Sequence, residues 1–157
     1  RGGIEHDLHN DDLELCIQAA RTSAEKKTGR ALVDQKWQQV FSKISHEDIA
    51  LPLIRWPVKS IDQVLIDGVE VDHSGFEFLP GDDSSICSGQ FIGKRVTVIY
   101  SSGYGAGADV PADIKKWIWA TAGTMYEHRE SEVIGANVSR VSYVDCLISP
   151  YRISRFW

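Results

Sequence analysis

The run Gly103-Tyr104-Gly105-Ala106-Gly107-Ala108 has the glycine spacing that could cradle a phosphate. In a dinucleotide site such a turn follows a strand, lets the backbone approach a pyrophosphate, and seats the anion on the N-terminus of the next helix. The flanks here read as a strand and then a helix, so the local context fits. Three features oppose it. The chain upstream reads as a hairpin meander and not as the start of a βαβ unit, Pro111 follows within a few residues, and no second strand ending in an acid comes after the helix. A plain turn is the simpler reading, and a small nucleotide-binding enzyme using Gly103–Gly107 is the alternative.

Other residue groups offer less chemistry. GQFIGKR, from Gly89 to Arg95, resembles a phosphate-binding loop, but it has three residues where four are required, and Arg95 stands where Ser or Thr would hold magnesium. Asp82 and Asp83 are adjacent acids on the turn Gly81–Ser85. An acid–base pair needs two separate environments and a pocket, which neighbours on a glycine turn rarely have, so a solvated turn is expected. His6, His9, His46, His73 and His128 fall into no metal-ligand spacing, and no G-x-S-x-G elbow occurs. Cys16, Cys87 and Cys146 are odd in number and far apart, and are read as buried small hydrophobes. No catalytic residue, cofactor or metal is expected.

The elements that would position these residues centre on Arg95–Glu130. Val96, Val98 and Tyr100 alternate with Thr97 and Ile99, as in a strand covered on both faces. After the glycines, Pro111 with Asp109 and Asp113 marks a helix start near Val110. Ile114, Trp117, Ile118, Thr121, Ala122, Met125 and Tyr126 then recur at steps of three and four on one face, the expected core face. Trp119 lies at its border, where it either completes the core or meets a partner subunit.

Upstream, Asn10, Asp11 and Asp12 are expected to cap a helix whose stripe is Leu13, Cys16, Ile17, Ala20 and Ala24, ending at Gly29. A strand-like run follows from Ala31 to Phe41, with Val33, Trp37 and Phe41 on one face. Ile49–Arg55 contains Pro52 and is expected at a sheet edge or in an arm. VKSIDQVLID closes on Asp67-Gly68, a hairpin signal with Val69–Val71 returning, and Phe76–Leu79 is a further short strand. Beyond the long helix, IGANVSRVSYVD looks irregular, and the end, CLISPYRISRFW, is apolar and aromatic where termini are normally polar. The expected class is α+β: an N-terminal helix, an antiparallel β meander with a hairpin, a long second helix packed on the core, and an extended C-terminal arm.

At 157 residues, 43% of them apolar and 25% charged, the chain is expected to form one compact domain. Its net charge of −5 argues against gripping nucleic acid through a basic surface. No apolar run reaches the roughly 18 to 20 residues that span a bilayer, and no signal peptide is evident, so a soluble protein of intracellular origin without a membrane partner is expected.

Taken in order, DDLELCIQAARTSAEKKTGRAL, QKWQQVF, LPLIRWPVKSIDQVLIDG, VTVIYSSGYGAGADVPADIKKWIWATAGTMYEHRE and LISPYR resemble the tailed-phage head–tail connector family, also called adaptor or head-completion proteins, from about Asp11 to Arg152. TGRAL and the GYG…VP…I…YEHRE block carry most of the likeness. The resemblance implies a structural virion protein in the neck, made in the bacterial host's cytoplasm. It would form a ring of about twelve subunits beneath the portal protein, extend the DNA channel, and offer a platform to a stopper or tail-completion protein. Double-stranded DNA would pass without sequence-specific binding.

Carried onto this chain, the resemblance implies a flexible lead over 1–10, a connector domain over 11–140 and a docking arm over 141–157. The arm sets Leu147, Pro150, Tyr151 and Arg152 at the portal contact, with Phe156 and Trp157 as additional candidates beyond the family pattern. Trp119 is the subunit-interface candidate. Asp82, Asp83 or the acids of the first helix are the candidates for lining the channel, whose acidic wall would favour passage of DNA over adhesion. A monomeric β-rich binding module is a third reading.

Overall fold

The computed structural model describes residues 3–42, 44–45, 50–128 and 142–153. The architecture is α+β, with ten helices and strands of regular type among the described residues, and the chain sorts into two compact units: Gly29–Val110, and Arg1–Thr28 with Pro111–Trp157. The expected single domain over 11–140 and arm over 141–157 divide the chain differently.

The first of these units is built from strands. β1 (Gln35–Phe41), β3 (Val58–Ile66), β4 (Val69–Val71) and β7 (Val96–Ser102) form an antiparallel sheet in the order β1-β7-β3-β4. The strand expected to be most covered is its centre. Val96, Val98, Tyr100 and Ser102 on one face of β7 are buried, while Thr97, Ile99 and Ser101 on the other are half-buried. Pairing of Trp37 with Tyr100 and of Val64 with Val98 places β1, β7 and β3 side chains on that same buried face. Asp67 (φ 52°) and Gly68 (φ 85°) turn the β3–β4 hairpin with two successive left-handed residues, as the dipeptide predicts.

A smaller sheet has the order β2-β6-β5, from Ala50–Pro52, Ser85–Cys87 and Glu77–Leu79. Pro52 sits on its edge strand, where a missing N–H is tolerated. Leu51 and Ile86 pair and are buried, and Phe76 meets Phe91 edge-to-face with centroids 5.2 Å apart. β6 was not expected, since three residues carry too little alternation to read.

The second unit is helical, with α1 (Gly3–Thr28), α2 (Ala112–Glu127) and α3 (Ser142–Ile148), the last continued by a tight turn over Ser149–Tyr151. Two expectations about α1 are corrected. It starts at Gly3, so Asn10, Asp11 and Asp12 lie inside it and do not cap it; such residues are tolerated mid-helix when their side chains face water, as Asp11 and Asp12 do. Its stripe is covered only in part: Ala20 and Ala24 are fully buried, but Leu13 and Ile17 are exposed. α2 buries Ile114, Trp117 and Ala122 as expected, but Ile118, Thr121 and Tyr126 are only half-buried and Met125, expected on the core face, is exposed. Residues 134–141 of the stretch read as irregular lie outside the described residues, but Ser142–Ile148 is a helix, with Val144 and Ile148 one turn apart and both buried. The cysteines are also corrected: Cys16 and Cys87 are half-buried and Cys146 is exposed.

Candidate assembly surfaces

The glycine turn that could have held a phosphate is closed by its own chain. Gly103 has φ 136°, and a Cβ there would stand 2.5 Å from the carbonyl carbon and oxygen of Val33, so only glycine fits. Its N–H donates to Pro57 O at 2.9 Å, and Asp34 N–H donates to Gly105 O at 3.0 Å. The Ala106 N–H donates to the Asp109 carboxylate at 2.9 Å. An anionic ligand would have to displace that carboxylate and meet its repulsion, so the turn serves to fasten the end of β7 to the chain before β1.

Asp82 and Asp83 have different surroundings. Asp82 takes both guanidinium nitrogens of Arg30 at 2.7 Å each, a bidentate pair in which the Arg30 side chain is 9% exposed and the Asp82 side chain 53%. Burial works to lower the Arg30 pKa, but the bonds to Asp82 and Tyr104 outweigh it and raise it. The turn is held by Ser84, whose hydroxyl donates to Gly81 O. Asp83 is exposed in the left-handed region (φ 57°). Of the two expected channel acids, one is therefore already neutralised. The fifty-odd residues between Arg30 and Asp82 left no signal of this pairing in the sequence.

In the helical unit, the C-terminal segment is fastened by a hub that sequence reading missed. Asp145 on α3 accepts from Trp117 Nε1 at 3.1 Å and from Lys27 Nζ at 3.4 Å, and that ammonium also lies 5.3 Å from the Trp117 ring centre. Hydrogen bonding from Trp117, with help from the charges of Lys27 and Arg152, holds the Asp145 carboxyl below its usual range. Ile148 is buried, and Ile153 N–H donates to Thr28 O at 3.1 Å, so α3 and its turn are tied to both α1 and α2.

Leu147 and Tyr151 are half-buried, while Pro150 and Arg152 are exposed; these four portal candidates share one segment. Phe156 and Trp157 lie outside the described residues. Trp119 projects from α2 with 70% of its surface exposed, and Lys116 Nζ stands 4.9 Å from its ring centre. It does not complete the core. Among the described residues, no group of three His, Cys, Asp or Glu side chains is placed to hold a metal ion, and no helix is long and apolar enough to cross a membrane.

No protein-family model and no curated protein matches the chain. Solved structures do. A chain in the virion of a native gene transfer agent particle is 20% identical at a TM-score of 0.74, over 92% of this chain and 78% of that one. A chain in the neck of the native particle, computed with C12 symmetry, is 20% identical at a TM-score of 0.74, over 92% and 84%. A chain in the neck of the empty particle, computed with C6 symmetry, is 24% identical at a TM-score of 0.75, over 92% and 78%. These chains share the fold.

Proposed function

We propose that this chain is a structural neck protein of a phage-like particle, a head–tail connector that assembles as a ring beneath the portal and extends the DNA channel toward a stopper or tail-completion protein. The observation that carries the reading is the likeness, over nearly the whole chain, to chains in particle necks computed with C12 and C6 symmetry. The glycine turn supports it from the other side, because Gly103 N–H is given to Pro57 O and Ala106 N–H to the Asp109 carboxylate, which an anionic ligand would have to displace.

In this role the segment from Leu147 to Arg152 contacts the portal, with the exposed Pro150 and Arg152 and the half-buried Tyr151 as its reachable part. Phe156 and Trp157 extend the same contact. An acidic subunit, net −5, repeated around a ring presents a wall that DNA slides past. Asp83 is the acid best suited to line it, because the charge of Asp82 is matched by Arg30. The protein acts in the virion neck after synthesis in the host cytoplasm, without catalysis or a cofactor.

The test is binding to tailless, DNA-filled capsids. The wild-type chain should join the portal vertex, and a Tyr151→Ala/Arg152→Ala variant should stay folded yet bind at least about tenfold more weakly. Asp83→Asn should alter DNA retention and leave ring assembly unchanged. Absence of wild-type binding at the portal vertex would contradict the reading.

A further inference from the structure

The two largest exposures among the described apolar side chains of the helices have matching surroundings of opposite charge. On α2, Trp119 is preceded by Lys115 and Lys116, four and three residues before it, all three exposed. On α1, Leu15 is 65% exposed and is preceded at the same two spacings by Asp11 and Asp12, both exposed. Residues three and four apart share a helix face, so each anchor and its charged pair form one patch. One patch is aromatic and basic; the other is aliphatic and acidic.

The patches lie on separate helices, each turned away from buried residues of its own helix. The helical repeat sets Leu15 away from the buried Ala20 and Ala24, and sets Trp119 away from the buried Ile114 and Trp117. The α1–α2 contact is marked by Lys27 over Trp117, on the opposite face of α2 from Trp119, and by Tyr126 OH against His9 Nδ1 at 3.3 Å, two turns beyond Trp119 on its own face, where Trp119 itself stays 70% exposed. A surface that is complementary to a different surface on the same molecule makes a heterologous contact, and such contacts close into rings when the rotation allows.

We infer that the Asp11–Asp12–Leu15 face of α1 docks onto the Lys115–Lys116–Trp119 face of α2 in a neighbouring copy of the same chain. This inference rests on the ring reading and names the contact that closes the ring. Trp119 supplies the anchor, since an aromatic ring can bury about 150 to 250 Å². The paired charges set the register and oppose docking of like faces, α1 on α1 or α2 on α2. Lys116 already stands over the indole, so its charge is presented at the edge of the anchor.

Charge reversal separates this contact from the ring itself. Lys115→Glu/Lys116→Glu and Asp11→Lys/Asp12→Lys are exposed changes that should leave circular dichroism unchanged. Sedimentation velocity and native mass at matched concentration should show wild type associating, and each reversed chain weakened by about tenfold or more. An equimolar mixture of the two reversed chains should associate again, because α1 of each then meets an opposite charge on α2 of the other. Trp119→Ala should weaken association without rescue in the mixture. If wild type forms rings and both reversed chains form them equally well, the contact is overturned while the ring reading stands. If wild type stays monomeric both alone and on portal-bearing capsids, both fall.

Discussion

In the strand-built unit, three acids at or beside turns are tied to partners within the unit, Asp82 to Arg30, Asp34 to Lys59 at 2.7 Å and Asp109 to its own turn, while Asp83 stays exposed. In the helical unit, the exposed Leu15 and Trp119 each follow a pair of exposed like charges by three and four residues, whereas the exposed Val69 and Leu79 of the strand-built unit lie on three-residue edge strands. A sheet whose central strand and turns are satisfied internally is suited to keeping its shape, while helices that leave large apolar anchors exposed are suited to meeting another surface. Residues that hold the fold are thereby set apart from those proposed to hold an assembly.

The comparison breaks most clearly at Gly103. Gly103→Ala places a methyl against the Val33 carbonyl at a φ that L-residues rarely adopt, so it should cost about 3 kcal/mol or more, read as a fall in the urea midpoint. Asp82→Ala comes next. It takes the carboxylate from a nearly buried guanidinium that keeps its bond to Tyr104, and because Asp82 itself is half in water the cost should be about 2 kcal/mol, below the range for fully buried pairs. Wild-type stability in either variant would show that the strand-built unit does not depend on these internal ties.

On the helical side the stability effects should be small. Trp119→Ala should move monomer stability by no more than about 0.5 kcal/mol while weakening self-association, the reverse of the Gly103 result. Asp145 gives the finest test. Its folded-state pKa is depressed, so its contribution is present above the unfolded value, near 4, and is lost as the pH falls through the folded value. Acid should therefore loosen α3 from Trp117, seen in indole fluorescence, and Asp145→Asn should remove that pH dependence and leave a constant, slight loosening.

The long periodic stretches were legible from sequence because pattern and chemistry agreed there. β7, the Asp67-Gly68 hairpin, the body of α2 and the edge position of Pro52 follow from alternation, turn chemistry, helical spacing and a missing N–H. The start of α1 was misread because Asn10, Asp11 and Asp12 are cap formers by type, while the helix continues through them to Gly3. β6 and α3 are too short for their periodicity to stand out. Trp119 was identified as a border residue, but spacing alone left open whether it faced core or water. The Arg30–Asp82 pair and the Asp145 hub join residues distant in the chain, a proximity that only the fold creates.

Negative-stain imaging with native mass determination, on the purified chain alone and with portal-bearing, tailless capsids, decides whether the chain forms a ring. Closed rings, formed either in solution or on the portal, are the predicted result. A chain that stays monomeric in both samples is not a ring-forming connector.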